Sequence, residues 1–170
     1  TVEFFSSHEA LLMDYESGTL LFHKNADEPL EPASMAKLMT VAVVFDELQR
    51  GRLSMDDEFF ISEHAWRDGG AASGGSTMFA ELNSKVKVGD LLRSVIIQSG
   101  NDAAIALAEG VGGTEAQFAS MMNQLGREIG LTNTNFVNAT GLPDPNQYST
   151  ARDLATIARF IIAQFPEYYP

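Results

Sequence analysis

The sequence predicts an α+β domain: a two-stranded hairpin followed almost entirely by helices, with a sheet that is incomplete within the chain. Three features predict it. A strand-like run, Glu9-Ala-Leu-Leu-Met-Asp-Tyr15, turns through Glu16-Ser-Gly18 into a returning run, Thr19-Leu-Leu-Phe22, which is the pattern of an antiparallel hairpin. An apolar stretch of helical length follows, from about Ser34 to Arg50. Nearly everything downstream reads as helix and loop. Two strands alone make a marginal sheet with open edges, so more strands are expected beyond residue 170 or on another chain.

A Pro-containing loop over 25–33 leads into the helix, which Gly51 closes. Its apolar residues Met35, Leu38, Met39, Val41, Val43, Val44, Phe45 and Leu48 point almost all round, as in a helix buried at the middle of a protein. From Asp56 to Ser84, with Gly69, Gly70, Gly74 and Gly75, the chain reads as a long loop with short extended pieces near Phe59-Phe-Ile61. Helices are expected over 89–97, 103–111 and 115–129, the last with Thr114 as its N-cap. A loop over 131–148 carries Pro143, Pro145, Asn133, Asn135, Asn138 and Asn146. Ser149 or Thr150 then caps a final helix that reaches about Phe165. No repeat or linker interrupts this order. Residues 1–170 therefore read as the N-terminal portion of one domain, with a hairpin at 9–23, the apolar helix at 34–50 and a helical subdomain over about 51–165.

Of the 170 residues, 45% are apolar and 20% charged, the balance of a globular protein with a real core. The apolar stretches Leu38–Phe45 and Leu91–Ile97 are too short to span a bilayer. A net charge of −12 makes nucleic acid and anionic lipid poor partners. The absence of cysteine excludes disulfides, thiol nucleophiles and thiolate metal sites. Thr1 to Ser7 lack a basic start followed by an apolar run, so they are not a secretion signal.

Ser34-Met35-Ala36-Lys37 carries the chemistry. Spacing of i to i+3 puts hydroxyl and ammonium on one helix face, and Pro32 suits a helix start just before them. The positive end of the helix dipole favours developing negative charge on oxygen and, together with burial, disfavours a protonated lysine. A neutral lysine can take the serine proton. As a bare tetrapeptide the pattern also fits a helix cap and a solvated lysine. A lysine in an otherwise apolar helix, however, needs a partner or a purpose. Ser99-Gly100-Asn101, between two helices, reads alone as a turn. In combination it offers a hydroxyl and an amide facing the first motif.

The pair of motifs resembles the penicillin-recognising serine enzymes. Met13-Asp-Tyr-Glu-Ser-Gly18, Pro32-Ala-Ser-Met-Ala-Lys-Leu-Met-Thr40, Gln98-Ser-Gly-Asn-Asp-Ala103 and Gln147-Tyr-Ser-Thr-Ala-Arg-Asp153 look like the low-molecular-mass penicillin-binding proteins, the serine D-alanyl-D-alanine carboxypeptidases. The resemblance runs over essentially the whole chain. It implies a transpeptidase-like fold, shared with beta-lactamases, with an antiparallel sheet flanked by helices and a helical subdomain. It also implies Ser34 as nucleophile, Lys37 as general base, Ser99 as proton relay and Asn101 as substrate-binding amide, with no cofactor and no metal. The implied partners are peptidoglycan stem peptides and beta-lactams, outside the cytoplasmic membrane, after removal of a signal. Membrane attachment would involve only regions absent from this sequence.

The family's third motif, Lys-Thr-Gly, is absent. Its place falls past Pro170, so the chain is expected to be truncated, or a nicked half completed by a second chain, and inactive by itself. A class A beta-lactamase is the first rival, but residues 131–148 offer Asp144 and no glutamate to hold a deacylating water. A non-catalytic scaffold of the same fold is the second. The glycine-rich 68–77 segment lacks the Gly-Lys-Ser/Thr ending of a phosphate loop and reads as a mobile loop beside the site. His8, His23 and His64 show no metal-ligand spacing and read as surface residues, and Trp66 as packing near that loop.

Overall fold

The N-terminal runs pair as β1 (Ala10–Met13) and β2 (Leu20–Lys24). They are antiparallel, with Ala10 opposite Lys24 and Leu12 opposite Phe22, and the register slips between Leu12 and Met13. This is a computed structural model describing residues 7–169. The stretch judged not to be a secretion signal therefore lies outside the described residues, except for Ser7. Leu12, Leu21 and Phe22 are all exposed, as expected of a sheet with no further strands among the described residues.

Ala33–Ala36 forms a 3-10 turn that runs directly into helix α1 (Lys37–Gln49). Ser34 therefore sits in a tight turn ahead of the α-helix, whereas the sequence places it in the helix's own first turn. Ala33, just before it, adopts a positive φ of 48°, so the chain turns sharply into this segment. Within α1, Met39, Ala42, Val43, Val44 and Phe45 are buried, and the later helices Asn101–Gly112, Glu115–Glu128 and Ala151–Gln164 pack round it. An apolar surface on all sides produces a central helix.

The stretch expected to be loop over 56–84 holds more structure. β3 (Glu58–Phe60) pairs antiparallel with a strand the sequence did not suggest, β4 (Lys85–Lys87). Between them α2 (Glu63–Asp68) starts at Ser62, whose hydroxyl accepts from Ala65 N–H at 3.0 Å. Ser62 was the available signal, and a two-turn helix has too little periodicity to reinforce it. Next, α3 (Val88–Arg93) widens into one π-helical turn, Ser94–Gln98, which ends on Ser99 in the left-handed conformation (φ 58°, ψ 35°). Helix α4 (Asn101–Gly112) begins two residues before its expected start and lays buried Ala103, Ala104, Ala106 and Ala108 into the middle of the domain.

Thr114 caps α5 (Glu115–Glu128), and Thr150 caps α6 (Ala151–Gln164). The 131–148 loop is pinned between them. Asn135 pairs with Tyr148, and Leu30 with Ser149, in isolated antiparallel bridges. Asn123 on α5 clamps Phe136 at both backbone groups, accepting from its N–H (2.8 Å) and donating to its carbonyl (2.7 Å). Asp153 on α6 accepts from the N–H groups of Thr132 and Asn133 and from the Thr134 hydroxyl. Gln147 accepts from Val137 and Asn138 N–H. These bonds fix the coil segment to α5, to α6 and to itself.

Candidate active site

Lys37 is the hub. Its residue is only 4% exposed although it carries an ammonium, and burial lowers its pKa to about 8. The ammonium has partners, as a buried charge requires. Nζ donates to Asn101 Oδ1 at 2.8 Å and to the Thr140 carbonyl at 2.6 Å, and lies 3.3 Å from Ser34 Oγ. One turn of helix supplies the serine–lysine spacing, and α4 delivers Asn101 from the other side of the core.

Ser99 comes to the same place. It lines both cavities that Ser34 lines. Its hydroxyl is buried and has no hydrogen-bond partner among the described residues, so its proton and lone pairs are available to a bound molecule. The first cavity, about 270 Å³, runs from Ser34 past Ser99 and Asn101 to the 140–144 segment, with Gly75 and Ser76 on its rim. The structure thus brings Ser34, Lys37, Ser99 and Asn101 together from the 3-10 turn, α1, the end of the π-helical turn and α4.

Sequence reasoning missed the groups that hold these residues in place. Thr140 contributes only a backbone carbonyl, which no side-chain pattern announces. Gly141 (φ 82°) packs its backbone on Ala33, where an added Cβ would sit 1.8 Å from the carbonyl oxygen. Only glycine fits there. Asp102 is fully buried, and its carboxylate accepts from Met78, Ala80 and Ala103 N–H. With Asn101 N–H donating to Ser76 O and Asp102 N–H to Gly69 O, the glycine-rich segment is tied to the second motif. Ala71, Ala72, Ser73 and Ser76 in it are exposed, and Phe79, two residues past its end, is 75% exposed.

His64 is half-exposed but not idle. Nδ1 bonds Asp68 at 2.7 Å and Nε2 bonds Glu115 at 2.9 Å. Burial acts to lower its pKa, but the bonds to Glu115 and Asp68 outweigh it and the pKa is raised. Trp66 is 42% exposed and lines a shallow groove with Phe79. His8 and His23 are exposed. His8, Glu9 and Glu28 gather ligand atoms within 4.8 Å of one another, a closeness explained in part by the 2.7 Å bond from His8 to Glu9.

The profile of the D-alanyl-D-alanine carboxypeptidase family, peptidase S11, matches residues 2–170. The chain belongs to this family. It is 45% identical, over 94% of its length, to D-alanyl-D-alanine carboxypeptidase DacC of Escherichia coli. It spans 40% of that relative's length. Among solved structures, the family member DacD from Francisella tularensis superposes with a TM-score of 0.90 at 43% identity, covering 97% of this chain and 39% of that one. Penicillin binding protein 5 from Haemophilus influenzae also gives 0.90, at 45% identity, with 94% and 46% covered. Penicillin-Binding Protein D2 from Listeria monocytogenes, in its cefotaxime-bound form, gives 0.84 at 28% identity, with 96% and 65% covered. The fold is therefore that of the penicillin-binding proteins, and the sheets in this chain are its incomplete part.

Proposed function

We propose that the protein is a serine DD-peptidase that removes the terminal D-alanine from peptidoglycan stem pentapeptides, with Ser34 as nucleophile. The carrying observation is the buried lysine, held by Asn101 and Thr140 within reach of Ser34 Oγ. A lysine with a pKa of about 8 is neutral in a useful fraction near neutral pH. Neutral Lys37 takes the Ser34 proton as Oγ attacks the carbonyl between the two D-alanines. The tetrahedral intermediate collapses by breaking the C–N bond, and the proton passes by way of Ser99 to the leaving amine. Water then hydrolyses the ester and restores Ser34. Asn101 holds the substrate backbone, and the Ser34 N–H contributes to the oxyanion hole.

Beta-lactams acylate the same serine in this reading, and the cefotaxime-bound relative supports it. The remaining strands, including the Lys-Thr-Gly strand, lie in further sequence or on a second chain. They would cover the cavity lined by Met35, Leu38, Val95, Ile96 and Ile161. The site of action is outside the cytoplasmic membrane. No helix among the described residues is long and apolar enough to cross a membrane.

The test is intact-mass labelling of the full-length protein with a penicillin. The wild type gains one covalent penicilloyl group at Ser34 and releases it over minutes or longer. Ser34→Ala and Lys37→Ala gain none. Wild-type protein that stays unlabelled would favour a non-catalytic scaffold, and release within seconds would favour a beta-lactamase.

A further inference from the structure

The Thr140 carbonyl that receives Lys37 belongs to a coil segment, so something must fix its direction. Two side chains grip the residue before it. Thr40, on α1, donates its hydroxyl to the Ala139 carbonyl at 2.7 Å. Glu115, the first residue of α5, accepts from Ala139 N–H through Oε1 at 3.0 Å. The peptide groups on both sides of Ala139 are thereby held, and the Thr140 carbonyl follows directly after them in the chain.

Glu115 is itself braced. Its second oxygen, Oε2, meets His64 Nε2 at 2.9 Å, and the far side of that ring meets Asp68 at 2.7 Å. The carboxylate is 17% exposed against 43% for the imidazole, so the brace runs from solvent inward. The charged groups facing His64 are Asp68 on α2, Glu115 on α5 and Glu109 on α4. All are acidic, which favours a protonated imidazole holding both neighbours.

We propose that Glu115 is a positioning residue for the catalytic lysine, fixing the Thr140 carbonyl through the Ala139 amide, with His64 as its outer brace. This rests on the reading of Lys37 as general base. A hydrogen bond from an amide to a carboxylate is stronger than one to a neutral acceptor, and a chain of such bonds stiffens each member. The carbonyl binds the ammonium more strongly than the amine, so a Thr140 oxygen that swings away leaves Lys37 easier to deprotonate but poorly aimed.

The experiment compares Glu115→Leu, Glu115→Gln and His64→Ala with wild type in the full-length protein. Acylation by a fluorescent penicillin is followed against pH, and Ala139 amide exchange and the Lys37 titration are followed by NMR without substrate. In Glu115→Leu the plateau acylation rate falls about tenfold, the worth of one charge-assisted hydrogen bond, while the apparent dissociation constant of the preceding complex stays level. Its Lys37 midpoint moves below the wild-type value, and Ala139 exchanges faster. Glu115→Gln, which keeps an acceptor for Ala139 N–H, recovers the plateau to within about threefold because a neutral acceptor loses only part of the bond. His64→Ala, at a half-exposed position tolerant of change, shows the same shifts at smaller size. Wild-type exchange at Ala139 and an unmoved Lys37 titration in both Glu115→Leu and His64→Ala would overturn the proposal. Those two readouts need no adduct, so they judge it even if penicillin labelling of the wild type fails and the DD-peptidase reading falls.

Discussion

Helix α1 and the 131–148 loop both converge on Lys37, and they are held in place by opposite means. Helix α1 is fixed by apolar burial over most of its surface, with Met39, Ala42 and Val44 without measurable exposure and Leu38 left on the open cavity beside Met35. The loop is fixed by side chains that bond its backbone: Asn123, Gln147, Asp153, Thr40 and Glu115. Apolar packing tolerates many shapes of equal volume, whereas a backbone amide accepts only a group at one distance and angle. The helix therefore holds Lys37 on a rigid unit, with Ser34 in the turn just ahead of it, and the loop sets the aim of a single carbonyl.

The largest effect should come from breaking the packed side. Val44→Asp buries an unpaired carboxylate in the core and should cost more than about 4 kcal/mol, enough to unfold much of the population. A collapse of the urea midpoint is the measurement; a shift under about 1 kcal/mol would show that α1 is less confined than its burial indicates.

Next in size is a pH effect that belongs to Lys37. Its pKa falls from 10.5 to about 8 on folding through burial. Below pH 8 the lysine is charged in both states and the native state bears the whole penalty. Between 8 and 10.5 the folded form is neutral while the unfolded form still binds a proton, so stability rises with pH. The rise amounts to about 3 kcal/mol. Denaturation of wild type against Lys37→Met isolates it, since the variant lacks this rise.

Breaking the loop's clamps should cost less. Asn123→Ala leaves the Phe136 N–H and carbonyl without their partners and should destabilise by about 2 kcal/mol, read by thermal or urea unfolding. Thr150→Ala removes the cap where the loop enters α6, an effect of about 1 kcal/mol. If these two exceeded the Val44→Asp loss, the contrast between the regions would be reversed.

The same contrast explains what could be read from sequence. Helices α5 and α6 announce themselves through periodicity and their Thr114 and Thr150 caps, α1 through its unbroken apolar length, and the hairpin through the turn at Glu16-Ser-Gly18 between two apolar runs. The short elements α2 and β4 are below the length at which a period can be counted. At the candidate site, Ser34, Lys37, Ser99 and Asn101 are legible because side chains act there. Thr140 is not, because its contribution is a carbonyl that any residue possesses, and Glu115 and Asp102 act on backbone amides with no sequence signature. The π-helical turn before Ser99 was equally silent: nothing in Ser94-Val-Ile-Ile-Gln98 distinguishes hydrogen bonds that skip five residues from bonds that skip four.

Ala33 and Ser99 both stand at positive φ, 48° and 58°, immediately before and at the two serines of the site. Such non-glycine residues cost about 1 kcal/mol or more each in backbone strain. Laboratory selection for heat resistance alone should therefore draw glycine to positions 33 and 99, relaxing the chain while loosening the approach of Ser34 and deleting the Ser99 hydroxyl. If the protein is the DD-peptidase proposed, thermal hardiness and turnover would then separate along one lineage, with acylation at Ser34 slowing as the fold hardens.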